Sequence, residues 1–120
     1  MTDSQWINQL FATIDSKDTD AFVGFLTEDA VFVFGNAQPV PGRAAIRELL
    51  VGFFASIRAL RHDVTDAWTL PEVAVAIGQV TYTRLDGSSL SVPFADVLKM
   101  RQGLVSEYLI HVDASRLYAP

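Results

Sequence analysis

Apolar positions recur at helical spacing through the first half of the chain and at strand spacing through the second. Ile7, Leu10, Phe11 and Ile14 follow the i, i+3, i+4, i+7 rule of one helix face, and Thr2 with Gln5 forms a capping-box pattern ahead of them. Asp15-Ser16-Lys17-Asp18 breaks that period. Asp18 or Thr19 can cap a second, shorter helix whose inner face is Ala21, Phe22, Phe25 and Leu26, with Thr27-Glu28-Asp29 closing it. The β-branched and aromatic run Ala30–Phe34 predicts a buried strand, and the breaker-rich stretch 35–42 predicts a loop. A third helix is predicted from Arg43 to about Leu60, with Ile46, Leu49, Leu50, Phe53, Phe54 and Ile57 on one broad stripe.

From His62 onward the period is 2. Strands are predicted at His62–Leu70, Val73–Leu85, Leu90–Arg101 and Leu104–Asp113, separated by Pro71, by the hairpin pair Asp86-Gly87 and by Gln102-Gly103. Helices followed by a meander indicate an α+β domain in which about three N-terminal helices pack in a strongly curved, mostly antiparallel sheet. No repeat, linker or low-complexity segment interrupts the chain, so residues 1–120 read as a single domain.

Composition narrows the function classes. A chain of 120 residues, half of them apolar, can bury one continuous core. The formal charge of −5 and the scattered Lys and Arg residues argue against nucleic acid as a partner. No apolar run is long enough to cross a bilayer, so no membrane partner is expected. The absence of a basic leader with an apolar stretch predicts a cytoplasmic protein. With no cysteine, disulfides, thiolate metal sites and a cysteine nucleophile are excluded.

Several stretches carry a resemblance. They are Phe25-Leu26-Thr27-Glu28-Asp29-Ala30-Val31-Phe32, Pro41-Gly42-Arg43-Ala44-Ala45-Ile46-Arg47, His62-Asp63-Val64-Thr65, Val92-Pro93-Phe94-Ala95-Asp96-Val97, and Gly103-Leu104-Val105 running to Asp113. In that order the chain resembles the nuclear transport factor 2-like (NTF2-like) superfamily, and within it the SnoaL-like polyketide cyclases. The resemblance implies an NTF2-like cone enclosing an apolar pocket, and a homodimer packed through the sheet. Such folds include isomerases, epoxide hydrolases, dehydratases, cyclases and non-catalytic binding domains, so the fold alone does not choose an activity.

Asp96 is the leading candidate for chemistry. Strand alternation puts it on one face with Phe94, Leu98 and Met100, where a carboxylate is expensive to bury as an ion. Its pKa is therefore expected to rise unless a donor satisfies it. A neutral carboxyl of that kind can donate to an oxyanion or act as an acid–base, as one does in ketosteroid isomerase. The resemblance places a pocket aspartate of the steroid isomerases and epoxide hydrolases at this position. The alternative is an Asp hydrogen-bonded to a neighbouring Tyr, Asn or His to hold the sheet together. The other parts of those catalytic sets are replaced. The isomerase tyrosine and general base fall at Leu10 and Phe34, and the hydrolase arginine and second acid fall at Phe94 and Ile110.

His62 is the second catalytic candidate, because imidazole titrates near neutrality and dehydratases and cyclases of this fold carry a histidine at that place. A pocket-rim histidine bonded to backbone is the plain alternative. Binding residues are expected at Phe34, Asn36, Phe53, Phe54, Ile57, Phe94, Leu98, Tyr108 and Ile110, with Phe22 and Phe32 as further wall residues. Asn36 could instead serve turn geometry. His111 and Asp113 are too few for a metal site and read as a hydrogen-bonded pair. No metal or cofactor is expected. Two readings follow: a pocket for a small apolar molecule bearing a carbonyl or hydroxyl, with cofactor-free proton transfer by Asp96 and His62; or a non-catalytic ligand-binding or dimerisation module. Apolar residues on both parities of the meander predict a second copy of the chain on the outer face.

Overall fold

The computed structural model describes residues 3–118. Thr2, half of the expected capping box, lies outside them. Helix α1 spans Asp3–Asp15 and buries Ile7, Leu10 and Phe11, three of the four positions its periodicity marks. It ends where Lys17 turns left-handed, at φ 58°, with Asp18 N bonded to Thr13 O and Lys17 N to Ile14 O. This is the two-bond helix stop that usually takes glycine. The Lys17 Nζ offsets the unfavourable backbone by donating to the carbonyls of Ile57 and Arg58, at 2.8 and 2.9 Å.

Helix α2 is only Thr19–Val23, capped by the Asp18 carboxylate on Ala21 N. Leu26 and the Thr27-Glu28-Asp29 segment belong to strand β1, Leu26–Phe34, rather than to the helix end. Pairing draws them into the sheet: Val105 N donates to Phe25 O, and Leu26 stands opposite Val105. Within the expected loop, Val40–Pro41 forms a short strand, β2, against β1.

Helix α3 runs Arg43–Ala55, a turn and a half shorter than its apolar stripe suggests. Ser56 ends it by turning its hydroxyl back to Phe53 O, and Arg58 N bonds to Thr83 O to open the next ladder. Residues Ala59–Thr69 form β3, followed by β4 (Val73–Thr83), β5 (Ser89–Arg101) and β6 (Leu104–Val112).

The six strands form one curved, unclosed sheet in the order β2-β1-β6-β5-β4-β3. Every junction is antiparallel except β1–β6, which is parallel. The core lies between the helices and the concave face, where Ala74, Ala76, Val80 and Tyr82 of β4 meet Phe94 and Leu98 of β5. Outside, the register lines up Trp68, Val75, Val97, Leu109 and Val33 across five strands.

Strand β3 shifts register against β4 between Val64 and Asp66. The shift brings β3 backbone onto Gly78, where an added Cβ would lie 2.0 Å from Asp63 O. Gly78→Ala is expected to destabilise the protein by about 3 kcal/mol, because a backbone obstacle cannot rotate away. Urea unfolding checks this; an unchanged midpoint would show that β3 has room to move.

Candidate functional site

Between the helices and the concave face lies a cavity of about 220 Å³. Its wall is made mainly of aromatic and aliphatic side chains, and its polar groups come from Gln38, His62, Tyr82, Asp96 and Tyr108. The solvent-exposed members of the wall are Ala37, Gln38 and Leu49, so the cavity opens between the β1–β2 turn and α3. Phe34, Phe53, Phe54, Phe94, Tyr108 and Ile110 stand in this wall, as do Phe22 and Phe32.

Three expected wall residues lie elsewhere. Asn36 is exposed in the turn closed by Ala37 N on Phe34 O, so its place there is one of turn geometry. Ile57 leaves the α3 stripe because the helix stops at Ala55, and it borders a separate depression with Arg84, Leu117 and Tyr118. Leu98 faces the concave side but is wholly buried in packed core, two residues past the point on β5 where the cavity ends.

Asp96 is 2% exposed. Tyr108 donates to its Oδ2 at 3.3 Å, a long bond, while its buried Oδ1 has no hydrogen-bond partner among the described residues. Burial without a cation pushes the carboxyl up to about 8, against a smaller opposing effect of the Tyr108 hydroxyl. At neutral pH Asp96 is therefore mostly a carboxylic acid that can donate. Burial, reinforced by the nearby Asp96, also raises the Tyr82 and Tyr108 phenols well above their ordinary range, so both stay protonated.

His62 stands in the same wall, but no hydrogen bond joins it to Asp96. Its ring packs against Phe11 and Phe94, with centroids 4.7 and 5.1 Å away. Its Nδ1 lies 2.7 Å from Asp15 Oδ1, and its backbone N donates to Asp15 Oδ2 at 2.9 Å. Asp15 reads in the sequence only as a helix breaker. The usable signal is its place as the last residue of α1, where the helix dipole disfavours an acid that has no partner.

The expected His111–Asp113 pair does not form. Asp113 turns instead to cap Ser115 N, and both residues are exposed. Among the described residues no three His, Cys, Asp or Glu side chains converge as a metal site would need. No helix among them is long and apolar enough to cross a membrane.

Residues 7–108 match the SnoaL-like domain, and the chain belongs to that family. No curated protein matches it. Among solved structures, an NTF2-like protein of unknown function from Burkholderia pseudomallei superposes with a TM-score of 0.86 at 15% identity, covering 98% of this chain and 95% of its own. TerC, co-crystallized with polyporic acid, gives 0.80 at 18% identity over 93% and 92%. A protein of ketosteroid isomerase-like fold from Catenulispora acidiphila, in complex with trimethylamine, gives 0.80 at 15% identity over 88% and 82%. At these identities the likeness is one of fold.

The raised Asp96 carboxyl has a stability consequence of definite sign. The folded state holds its proton up to about pH 8, whereas an unfolded Asp releases it near about 3.9. Between those values the folded state binds more protons, so stability falls as pH rises and the full cost is present above about 8. Asp96→Asn removes that slope. Its melting temperature, relative to the parent, is expected to climb from pH 4 to pH 8 and then level off. The new amide adds a cost that does not vary with pH, so the slope carries the test. An Asp96 ionised and held by donors would leave that difference flat from pH 4 to pH 8, because its linkage would lie below about pH 4.

Proposed function

We propose that this member of the SnoaL-like family binds a small, largely apolar molecule in its cavity, with a carbonyl or hydroxyl oxygen on Asp96. The observation that carries the reading is the Asp96 Oδ1, buried in an aromatic wall without a partner. An orphaned buried polar atom is costly, and a ligand oxygen accepting from the neutral carboxyl would supply the missing bond. Two fold neighbours crystallised with small organic molecules add support.

The chemistry this arrangement suits is cofactor-free proton transfer: isomerisation, dehydration or cyclisation. His62 takes a proton from the carbon beside a ligand carbonyl. The C–H electron pair becomes a C=C bond, the carbonyl π pair moves to oxygen, and Asp96 delivers its proton there. In an isomerisation the His62 proton goes to another carbon of the conjugated enol while the enol O–H returns its proton to Asp96 and the carbonyl re-forms. In a dehydration the His62 proton leaves with a β-hydroxyl as water while the enol O–H again returns its proton to Asp96. Phe34, Phe94 and Ile110 stand where the resemblance puts the isomerase base and the hydrolase arginine and second acid, which disfavours the steroid-isomerase and two-acid epoxide-hydrolase arrangements.

Binding of aromatic ketones, measured by calorimetry, tests the reading. Affinity is expected to fall tenfold per unit above about pH 8, as Asp96 loses the proton it donates. Asp96→Asn should remove that pH dependence. Affinity for a cation that rises toward pH 8 would overturn the neutral-ligand reading, because a cation binds the ionised carboxylate.

A second reading, a non-catalytic dimerisation module of the same fold, rests on the convex face. Trp68 is 55% exposed at one end of the apolar row that runs through Val75, Val97 and Leu109 to Val33. Such a continuous row calls for cover, and a second copy supplies a self-complementary one. Light scattering at micromolar concentration is expected to give a homodimer, and Val97→Lys a monomer. A monomeric parent protein would remove the dimer.

A further inference from the structure

The Asp15–His62 contact does more than join α1 to β3. Asp15 meets one residue twice: its Oδ2 accepts from the backbone N–H of His62, and its Oδ1 lies 2.7 Å from the ring Nδ1. Phe11 and Phe94 press on the same ring, so its rotation and its hydrogen bonding are both fixed. Of the nearest charged residues on β3, Arg61 and Asp63 pair with each other at the surface. Asp15 is then the charged group that meets the imidazole among the described residues.

We propose that Asp15 is a positioning residue: it holds the neutral His62 as the Nδ1–H tautomer and leaves the Nε2 lone pair for the cavity. A carboxylate can only accept, so the ring nitrogen facing it must carry the proton. The free imidazole prefers the other tautomer only modestly, and one charge-assisted bond is enough to reverse that preference. The inference rests on the cavity reading and sharpens its ligand class. Asp96 is the donor and His62 Nε2 the acceptor, so the ligand carries an acceptor oxygen together with a hydroxyl or an acidic C–H.

The contact also dictates what a single substitution does. Asp15→Asn has one amide oxygen in place of two carboxylate oxygens. The backbone N–H of His62 can only donate, so that oxygen stays with it and the NH₂ turns to Nδ1. Nδ1 must then accept, and the ring proton moves to Nε2.

Ring ¹⁵N shifts of the neutral imidazole in the ligand-free protein read this directly, below about pH 8, where Asp96 keeps its proton. The expected result is a protonated Nδ1 in the parent protein and a protonated Nε2 in Asp15→Asn. A structural tether alone would not move the proton between the two nitrogens. An Nε2–H tautomer in the parent would overturn the proposal without any variant, as would an unchanged tautomer in an Asp15→Asn protein whose β3 amides remain folded. Because no ligand is present, the outcome is separate from whether ketones bind at Asp96.

Discussion

The parallel pairing of β1 with β6 is the constraint on which the rest of the molecule depends. It joins Leu26–Phe34, the first long strand, to the last one, with Phe32 opposite Tyr108 and Phe34 opposite Ile110. Those four side chains all reach the cavity wall. The pairing also decides what the helices must do. With β1 in the sheet beside β6 and β3 at the far edge, the connection that carries α3 has to cross the concave face. The crossing roofs the cavity instead of filling it, since Leu50 and Phe54 face inward while Leu49 stays at the mouth.

Within that frame, small residues on β4 make room for large or polar ones on β5. Ala74, Ala76 and Gly78 stand opposite Leu98, Asp96 and Phe94. The exchange lets Asp96 sit deep without displacing a neighbour, and it removes solvent from around the carboxyl. Desolvation is then the main cause of its raised pKa, and the Tyr108 hydroxyl, at 3.3 Å, is too distant to cancel it. A purely structural Asp would be expected to gather two or more strong donors. This one has a single long bond and an Oδ1 with no hydrogen-bond partner among the described residues, which supports the proposed ligand contact.

Much of this was readable in the residues, and the parts that were not share a cause. Period-2 alternation placed Asp96 with Phe94 on the inner face, and the 3.6 period placed Ile7, Leu10 and Phe11 in the core, because both rest on local geometry. What failed depended on partners remote in sequence. Leu26–Asp29 resembled a helix end until Val105 paired with it, and Ile57 continued a helical stripe that Ser56 and the β3–β4 ladder cut short. Leu98 had the right parity, but parity says nothing about where along a strand a cavity stops. Asp15 was the most consequential miss. Its partner lies 47 residues away, and only its awkward position at a helix C-terminus hints at one.

Two polar groups of the wall, Asp96 and His62, owe their states to opposite devices. Asp96 is kept neutral by having almost nothing beside it, whereas His62 is oriented by a carboxylate gripping its far nitrogen. Exchanging the devices would defeat both: an acid given a strong donor would ionise, and a histidine left loose in an apolar wall would turn its N–H inward. Separating them matters equally. A direct Asp96–His62 bond would pass the proton between the two and leave neither with a free valence toward a ligand. Phe94, packed on the His62 ring and two residues from Asp96 on β5, occupies the ground between them.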